Sequence, residues 1–330
     1  MDMTVLITGG TGLIGKALGK LLIEKGYHVI ILTRKIRRKQ DTEYGKQDEA
    51  AGVVSRISYA LWNIREQTID ANAIQRADYI IHLAGAGIAD KRWTAKRKKE
   101  IQESRIKGSE LIVKALREIS NQVKAVISAS AIGWYGENIY RPHLFNKKGN
   151  LEKGFIETDP PDEGFLGEAC RLWEESIKPV TATGKRLVKL RTGIVLSNDG
   201  GALAAFKKPI RFGIAAILGN GKQVISWIHI DDLCRLYINA IENENLKGVY
   251  NAVAPNPVNN KMLTIELARR TKGKFFIPLH VPSFVLKILL GEMSIEVLKS
   301  TTVSAQKIGQ TGFQFLYPSI ESALTNLAHQ

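Results

Sequence analysis

The sequence predicts an α/β protein with a doubly wound parallel sheet and a smaller, interleaved C-terminal lobe. Short apolar runs, which are typical of strands buried on both faces, alternate with amphipathic helical segments up to about residue 197. A glycine-rich turn directly follows the first apolar run. Beyond Ser197 the alternation gives way to shorter elements punctuated by glycine and proline, which indicates the second lobe.

The elements are predicted from these runs in chain order. Strands are expected at residues 5–7, 29–33, 53–61, 79–83, 123–128 and 187–196. The first helix is expected after Gly15 and is stopped by Gly26. The second begins after an N-cap at Thr94 and runs to about residue 119, and two more are expected at 163–182 and 284–290. We assign residues 1–240 to the sheet domain, with some lobe segments after 197. Residues 241–330 hold the rest of the lobe, including a small C-terminal module at about 281–330.

The turn between the first strand and the first helix has the residues of a phosphate-binding loop. Gly9 allows the sharp turn, Gly12 lets a pyrophosphate approach the backbone, and Gly15 lets helix and strand pack closely. The helix N-terminus offers unpaired N–H groups to the anion. A plain glycine-rich turn is the alternative, but the flanking strand and helix favour a Rossmann-type dinucleotide site. Its predicted contacts are Gly9, Gly10, Thr11, Gly12, Leu13, Ile14 and Gly15.

The composition excludes several classes of protein. No apolar run approaches the roughly 20 residues that span a bilayer, and the chain enters a strand at once, so we expect no secretory signal. Cys170 and Cys234 are too few for a disulfide framework or a thiolate metal site. We therefore expect a cytoplasmic protein with neither a metal nor a membrane partner.

The net charge of +15 raises the question of nucleic-acid binding. The densest basic clusters, at 34–39 and 96–99, carry no interleaved aromatic side chains on which bases could stack. A solvated face explains the second cluster, so we expect no nucleic-acid partner.

The end of the second strand distinguishes between the two nicotinamide dinucleotides. An acid at this place would bond the ribose 2′-hydroxyl of NAD, but here Thr33 is followed by Arg34 and Lys35. A guanidinium suits the 2′-phosphate of NADP, so Arg34 is the predicted main contact, with Lys35 or Arg38 secondary. A solvated basic loop is the alternative. The sequence therefore predicts NADP(H) as the cofactor.

Several motifs together resemble the extended short-chain dehydrogenases/reductases of the NAD-dependent epimerase/dehydratase type. They are the glycine turn, Ile81-His82-Leu83-Ala84-Gly85, Ser128-Ala129-Ser130, Arg191-Thr192-Gly193 and His229-Ile230-Asp231-Asp232. Segments 130–136, 226–229, 251–257 and 290–293 are similar to the YfcH-like epimerase-family proteins. The resemblance covers nearly the whole chain and implies a Rossmann domain with a C-terminal substrate lobe.

The resemblance also implies where a cofactor and a substrate would lie. It places Trp62 and Asn63 beside the adenine, and it places Ser128 and Ala129 beside the nicotinamide ribose. It also lines the cofactor with Leu83, Ala84 and Gly85. Arg92 and Arg105 would favour an anionic ligand if they point into the cleft, and structural ion pairs are the alternative. The substrate side should come from the second lobe, where the candidate contacts are Arg191, Trp227 and His229, with Lys207 and Arg211. Such cationic and aromatic side chains would suit a phosphorylated or nucleotide-linked substrate.

The family moves a hydroxyl proton with a Tyr-x-x-x-Lys pair on one helix, and this chain has none. The Tyr position falls on Phe165 or Leu166, and the Lys position falls on Ala169 or Cys170. Ser130 matches the family serine. Three residues are candidate substitute acids, each with an ordinary structural role as its alternative: Tyr135, His229 and Glu168.

Two hypotheses follow. The first is an NADP(H)-dependent oxidoreductase or epimerase with a modified proton relay and an unknown small substrate. The second is a non-catalytic NADP(H)-binding sensor or assembly factor. The resemblance also implies a homodimer as a state to test.

Overall fold

The computed structural model describes residues 3–35, 56–138 and 154–328. Its large sheet has eight strands in the order β12-β7-β6-β5-β1-β2-β3-β4. All neighbours are parallel except the short edge strand β4, which pairs antiparallel to β3. The strands are β1 Thr4–Thr8, β2 His28–Thr33, β3 Ile57–Asn63, β4 Thr68–Ile69, β5 Tyr79–His82, β6 Ala125–Ala131, β7 Arg186–Thr192 and β12 Gly248–Ala252. The predicted α/β class and parallel sheet are confirmed.

Helices cover both faces of this sheet, and α5 and α7 support the lobe. They are α1 Leu13–Glu24, α2 Ala71–Arg76, α3 Ala95–Glu118, α4 Phe165–Ile177, α5 Gly201–Arg211, α6 Ile230–Glu242, α7 Asn260–Lys272, α8 Ser283–Leu290, α9 Met293–Leu298, α10 Gln306–Gly309 and α11 Ile320–Ala328. None of these helices, within the described ranges, is long and apolar enough to cross a membrane.

The strand pattern explains why the sheet is covered on both sides. Val5, Ile7 and Ile31 point to one face and join the core beside α1 and α6. Leu6 and Ile30, one residue out of phase, join the core beside α2 and α3. Because side chains alternate along a strand, a run that is apolar throughout requires helices on both faces.

The lobe contains three small pairs of strands. They are β8 Ile194–Ser197 with β11 Trp227–His229, β9 Ile214–Leu218 with β14 Ile277–Val281, and β10 Val224–Ile225 with β13 Val258–Asn259. Strand β12, which lies after residue 240, belongs to the large sheet. The proposed boundary at 240 stays a prediction.

Three predicted elements need correction. The strand expected at 187–196 is two strands, because the chain leaves the sheet at Gly193, where a Cβ would lie 2.7 Å from the Ser226 carbonyl oxygen. The helix expected at 163–182 ends as an α-helix at Ile177 and continues as a 3₁₀ segment that contains Pro179. Strand β3 runs on to Asn63, past the expected end at residue 61, and residues 53–55 lie outside the described ranges.

The cap at the start of α3 is confirmed. The Thr94 side chain accepts a hydrogen bond from the Arg97 amide at 3.2 Å, and α3 runs to Glu118 with its C-cap at Ile119. The helix predicted at 284–290 is α8.

Candidate functional site

The turn between β1 and α1 is shaped by its glycines. Gly9 has a φ of +70°, and a Cβ there would lie 3.0 Å from the Ala84 amide nitrogen. The Gly12 amide donates to the Gly9 carbonyl at 3.0 Å. A Cβ at Gly15 would overlap the Gly9 carbonyl oxygen and Gly10. The turn therefore needs a left-handed residue at Gly9 and close packing at Gly15.

The N-terminus of α1 is open to an anion. Gly12 is the N-cap, no side chain caps the helix, and its first turn carries no acid. Thr11 and Gly12 are exposed, whereas Leu13 and Ile14 are half-buried. The first N–H groups of the helix are thus available for an anionic ligand.

A buried hydrogen-bond cluster of Thr8, His82 and Ser109 lies where the strand order reverses, between β1 and β5. The Thr8 hydroxyl accepts from the amides of Leu83 and Ala84, each at 3.1 Å, so its proton donates to His82 Nδ1 at 2.8 Å. His82 Nε2 then carries the proton and faces Ser109 Oγ at 3.3 Å. Burial, with the charge of Arg105, lowers the pKa of His82 to about 4. The histidine is neutral and holds the loop after β5 against the glycine turn.

Two arginines of α3 hold the rest of this loop. Arg105 donates to the carbonyls of Ala86 at 3.0 Å and Ile101 at 2.9 Å, and its guanidinium lies over the Trp173 ring. Burial lowers its pKa. Arg97 donates to the Gly87 carbonyl. Arg105 is therefore bonded to backbone carbonyls, and not to an acid as the alternative of a structural ion pair predicted.

Gly85 and Arg92 lie at the two ends of the loop. A Cβ at Gly85 would come within 3.1 Å of the Arg105 guanidinium carbon, so the loop backbone rests on that side chain. Arg92 is exposed, and its guanidinium packs against Gly291, where α8 gives way to α9. The neighbouring Lys98 pairs with Glu292. Arg92 thus connects the loop to the C-terminal module.

The end of β2 presents its cations to solvent. Arg34 and Lys35 are both exposed, and the Thr33 hydroxyl donates to the Lys35 carbonyl at 2.9 Å, which turns the chain. The described residues provide no ion pair for Arg34. Arg38, the other secondary candidate, lies outside the described ranges.

Trp62 and Asn63 occupy the end of β3 rather than the loop behind it. Trp62 is buried and meets the His82 ring edge-on at 6.5 Å between centroids. The Asn63 side-chain oxygen accepts from the amides of Arg65 at 3.0 Å and Glu66 at 3.3 Å. Both side chains therefore have structural contacts at this edge.

A buried ionic network lies where β6 and β7 end under α4. The Ser130 hydroxyl donates to Glu174 Oε1 at 2.8 Å, and Arg191 Nε donates to the same oxygen at 2.7 Å. Lys189 Nζ donates to Glu174 Oε2 at 2.9 Å. Burial alone would raise the pKa of Glu174, but the hydrogen bonds and charges of Arg191 and Lys189 hold it below its usual range. We call these four residues, with Tyr135 and Asn251, the ionic network.

Tyr135 extends this network to Asn251 on β12. It is fully buried, donates to Asn251 Oδ1 at 2.7 Å and accepts from Arg191 Nη1 at 3.0 Å. Burial raises the pKa of its hydroxyl to about 12. Arg191 also lies 3.6 Å from the centre of the Trp134 ring. The hydroxyls of Tyr135 and Ser130 are both committed to protein partners.

Three further residues of β6 and α4 are buried or paired. Ser128 is buried and donates to the Ala129 carbonyl at 3.1 Å. Cys170, at the lysine position, is buried, and burial raises the pKa of its thiol to about 12. Glu168 pairs with Arg171 at 2.7 Å on the helix surface. No group of His, Cys, Asp and Glu within the described ranges could hold a metal ion.

The three predicted substrate residues are all buried. Arg191 belongs to the ionic network. Trp227 is fully buried and donates from Nε1 to the Asn256 carbonyl at 3.0 Å. His229 is the N-cap of α6, with Nδ1 accepting from the Asp231 amide at 3.1 Å and the ring 3.9 Å from that of Tyr317. Burial lowers the pKa of His229. The side chains of these three residues are thus buried and have partners within the protein, so their contacts do not favour a phosphorylated substrate.

Comparisons with known proteins agree with this fold and identify the family. Residues 5–154 match the NAD dependent epimerase/dehydratase family, and residues 281–327 match a domain of unknown function, DUF1731. The chain is 36% identical over 326 residues to epimerase family protein SSP1921 of Staphylococcus saprophyticus, covering 98% of this chain and 99% of that protein. Epimerase family protein YfhF of Bacillus subtilis is 33% identical over 326 residues, with 98% of each chain covered.

The chain belongs to this epimerase family. It is therefore an extended short-chain dehydrogenase/reductase of the YfcH-like type, as its motifs indicated. Human epimerase family protein SDR39U1, in a crystal structure with NADPH, matches with a TM-score of 0.81 and 27% identity over 99% of this chain and 100% of that one.

A more distant match shows the shared fold alone. UDP-glucuronic acid 4-epimerase of Bacillus cereus, in complex with UDP-glucuronic acid and NAD, gives a TM-score of 0.76 at 20% identity. This match covers 99% of this chain and 98% of that one.

Proposed function

We propose that this epimerase-family protein binds NADP(H) and is an oxidoreductase or epimerase with a modified proton relay and a small-molecule substrate. The observation that carries the cofactor choice is the end of β2, where exposed Arg34 and Lys35 stand in place of an acid. NADPH in the structure of the human relative supports the same choice.

The residues of the β1–α1 turn fit a dinucleotide. The exposed Gly12 and the first turn of α1 suit the pyrophosphate, because no described side chain caps those N–H groups. Arg34 would take the 2′-phosphate in a bidentate manner, with Lys35 beside it. The backbone of Leu83 and Ala84, fixed by Thr8, would border the other half of the cofactor. When bound, the nicotinamide would supply or accept the hydride.

The chemistry must proceed without a free tyrosine and lysine. Ser130 and Tyr135 already donate their hydroxyl protons to Glu174 and Asn251. The pKa of Tyr135, raised to about 12, opposes loss of its proton near neutral pH. Their proposed role is therefore to hold the end of β6 in place, while another group or the substrate moves the proton. This same observation favours the second candidate function, a non-catalytic NADP(H)-binding sensor or assembly factor.

The deciding experiment is calorimetry of the full-length protein with NADPH, NADP, NADH and NAD, paired with thermal shift. We expect the two 2′-phosphorylated forms to bind at least about tenfold more tightly than the others. Preference for NADH and NAD would overturn the role of Arg34, and no binding at all would overturn the proposal. Cofactor turnover in a substrate screen would then favour the enzyme over the sensor.

A further inference from the structure

Two phenylalanines protrude from neighbouring turns of the lobe. Phe212, which ends α5, is 85% exposed, and Phe275, just before β14, is 87% exposed. The two turns are joined, because the Ile277 amide donates to the Gly213 carbonyl at 2.8 Å. Two large apolar side chains therefore protrude into water from neighbouring turns, which is costly for a surface without a partner.

The outer face of the β9–β14 pair continues this apolar surface. Ile277 lies beside Ile214 and Leu279 lies beside Ala216 in the parallel register, so all four point to the same side. Ile277 is 70% exposed and Leu279 is 53% exposed. The opposite face of β9 is buried under α5 and α7, whereas β14 is exposed on both faces.

The charged residues in the chain segments that form this surface have one sign. Lys208 and Arg211 precede Phe212, and Lys272 and Lys274 precede Phe275. All four are exposed, and within the described ranges none has an ion pair. Residues 201–230 and 267–291 contain no aspartate or glutamate. We call Phe212, Phe275, the outer β9–β14 face and these four cations the basic apolar tip.

We propose that the basic apolar tip docks this protein on the surface of an anionic lipid bilayer. Aromatic and aliphatic side chains would enter the interface while the four cations meet lipid phosphates, a combination that gives stable peripheral binding. A second copy of the chain fits less well, because a symmetric contact would oppose the same cations. The expectation of no membrane partner rested on the lack of a spanning segment, which surface docking does not need.

The test is flotation of the full-length protein with vesicles of phosphatidylcholine alone or with phosphatidylglycerol at about three in ten lipids. We expect binding only to the anionic vesicles, and loss of most of it in high salt. F212S/F275S should weaken binding at least about tenfold, whereas M262S/L316S, at exposed apolar positions elsewhere, should bind like the wild type. K272Q/K274Q should weaken it by roughly fivefold per charge, and K178Q/K247Q should not.

Several results would overturn the proposal. Equal binding to neutral and anionic vesicles, no binding to either, or wild-type binding by F212S/F275S would each do so. If light scattering shows a dimer that F212S/F275S dissociates, and vesicles are not bound, the tip is a protein interface instead. K272Q/K274Q changes only exposed side chains, so it keeps the test valid should the phenylalanine variant fail to fold.

Discussion

The carboxyl-terminal edge of the large sheet is built differently on the two sides of β5. Towards β1 and β2, no side chain caps the N-terminus of α1, and the exposed Arg34 has no ion pair among the described residues. Towards β6 and β7, Ser130, Glu174 and Arg191 satisfy one another in a buried network. One half of a sheet edge can thus stay open to a ligand while the polar side chains of the other half bond to one another and stabilise the fold.

The largest loss of stability should come from a substitution in the ionic network. Glu174→Ala leaves Arg191 buried without its counter-ion, and we expect it to lower the free energy of unfolding by about 3–5 kcal/mol in urea titration at pH 7. Glu175→Ala is the matched control, since Glu175 is exposed and pairs only with Arg171, and it should cost about 0–1 kcal/mol. Equal, small losses in both variants would show that the network does not stabilise this edge.

The hydrogen-bond cluster of Thr8, His82 and Ser109, which lies between the two sides, should change the free energy of unfolding with pH by about 2 kcal/mol. The pKa of His82 is about 4 in the fold and about 6.5 when unfolded, so its contribution is complete above 6.5 and is lost as the pH falls towards 4. Between pH 7 and 5 the wild type should therefore lose about 2 kcal/mol more than His82→Gln in urea titrations. Parallel pH profiles of the two proteins would contradict a neutral buried histidine.

The turn on the open side can be predicted from the sequence because its constraints are local. The spacing of Gly9 and Gly15 dictates a left-handed turn and a close approach within one segment, and Arg34 follows directly from the strand end. The buried side depends on distant pairs. Glu174 meets Arg191 from another element, and Thr8 bonds His82, 74 residues away. No spacing rule marks such pairs, so the sequence predicts Ser130, Tyr135 and Arg191 as site residues without their bonding partners and gives no signal for Glu174.

The cofactor preference should change about tenfold on the open side. Arg34→Glu places a carboxylate against the 2′-phosphate, and we expect calorimetry to show roughly tenfold weaker NADPH binding with NADH binding little changed. Lys20→Glu, on the exposed face of α1, makes the same charge change away from the strand end and should preserve both affinities. Equal weakening of NADPH and NADH by Arg34→Glu would remove the assignment of this residue to the 2′-phosphate.

The smallest effect separates structure from chemistry at Ser130. Ser130→Ala removes one of three donors to Glu174, while Arg191 and Lys189 remain, so the free energy of unfolding should fall by about 1 kcal/mol. Calorimetry should find NADPH affinity unchanged, because the hydroxyl is bonded to Glu174 on α4. Once a substrate is found, turnover should also persist. A drop in turnover of about a hundredfold with stability almost unchanged would instead make Ser130 a catalytic residue, and would mean that its bond to Glu174 opens during the reaction.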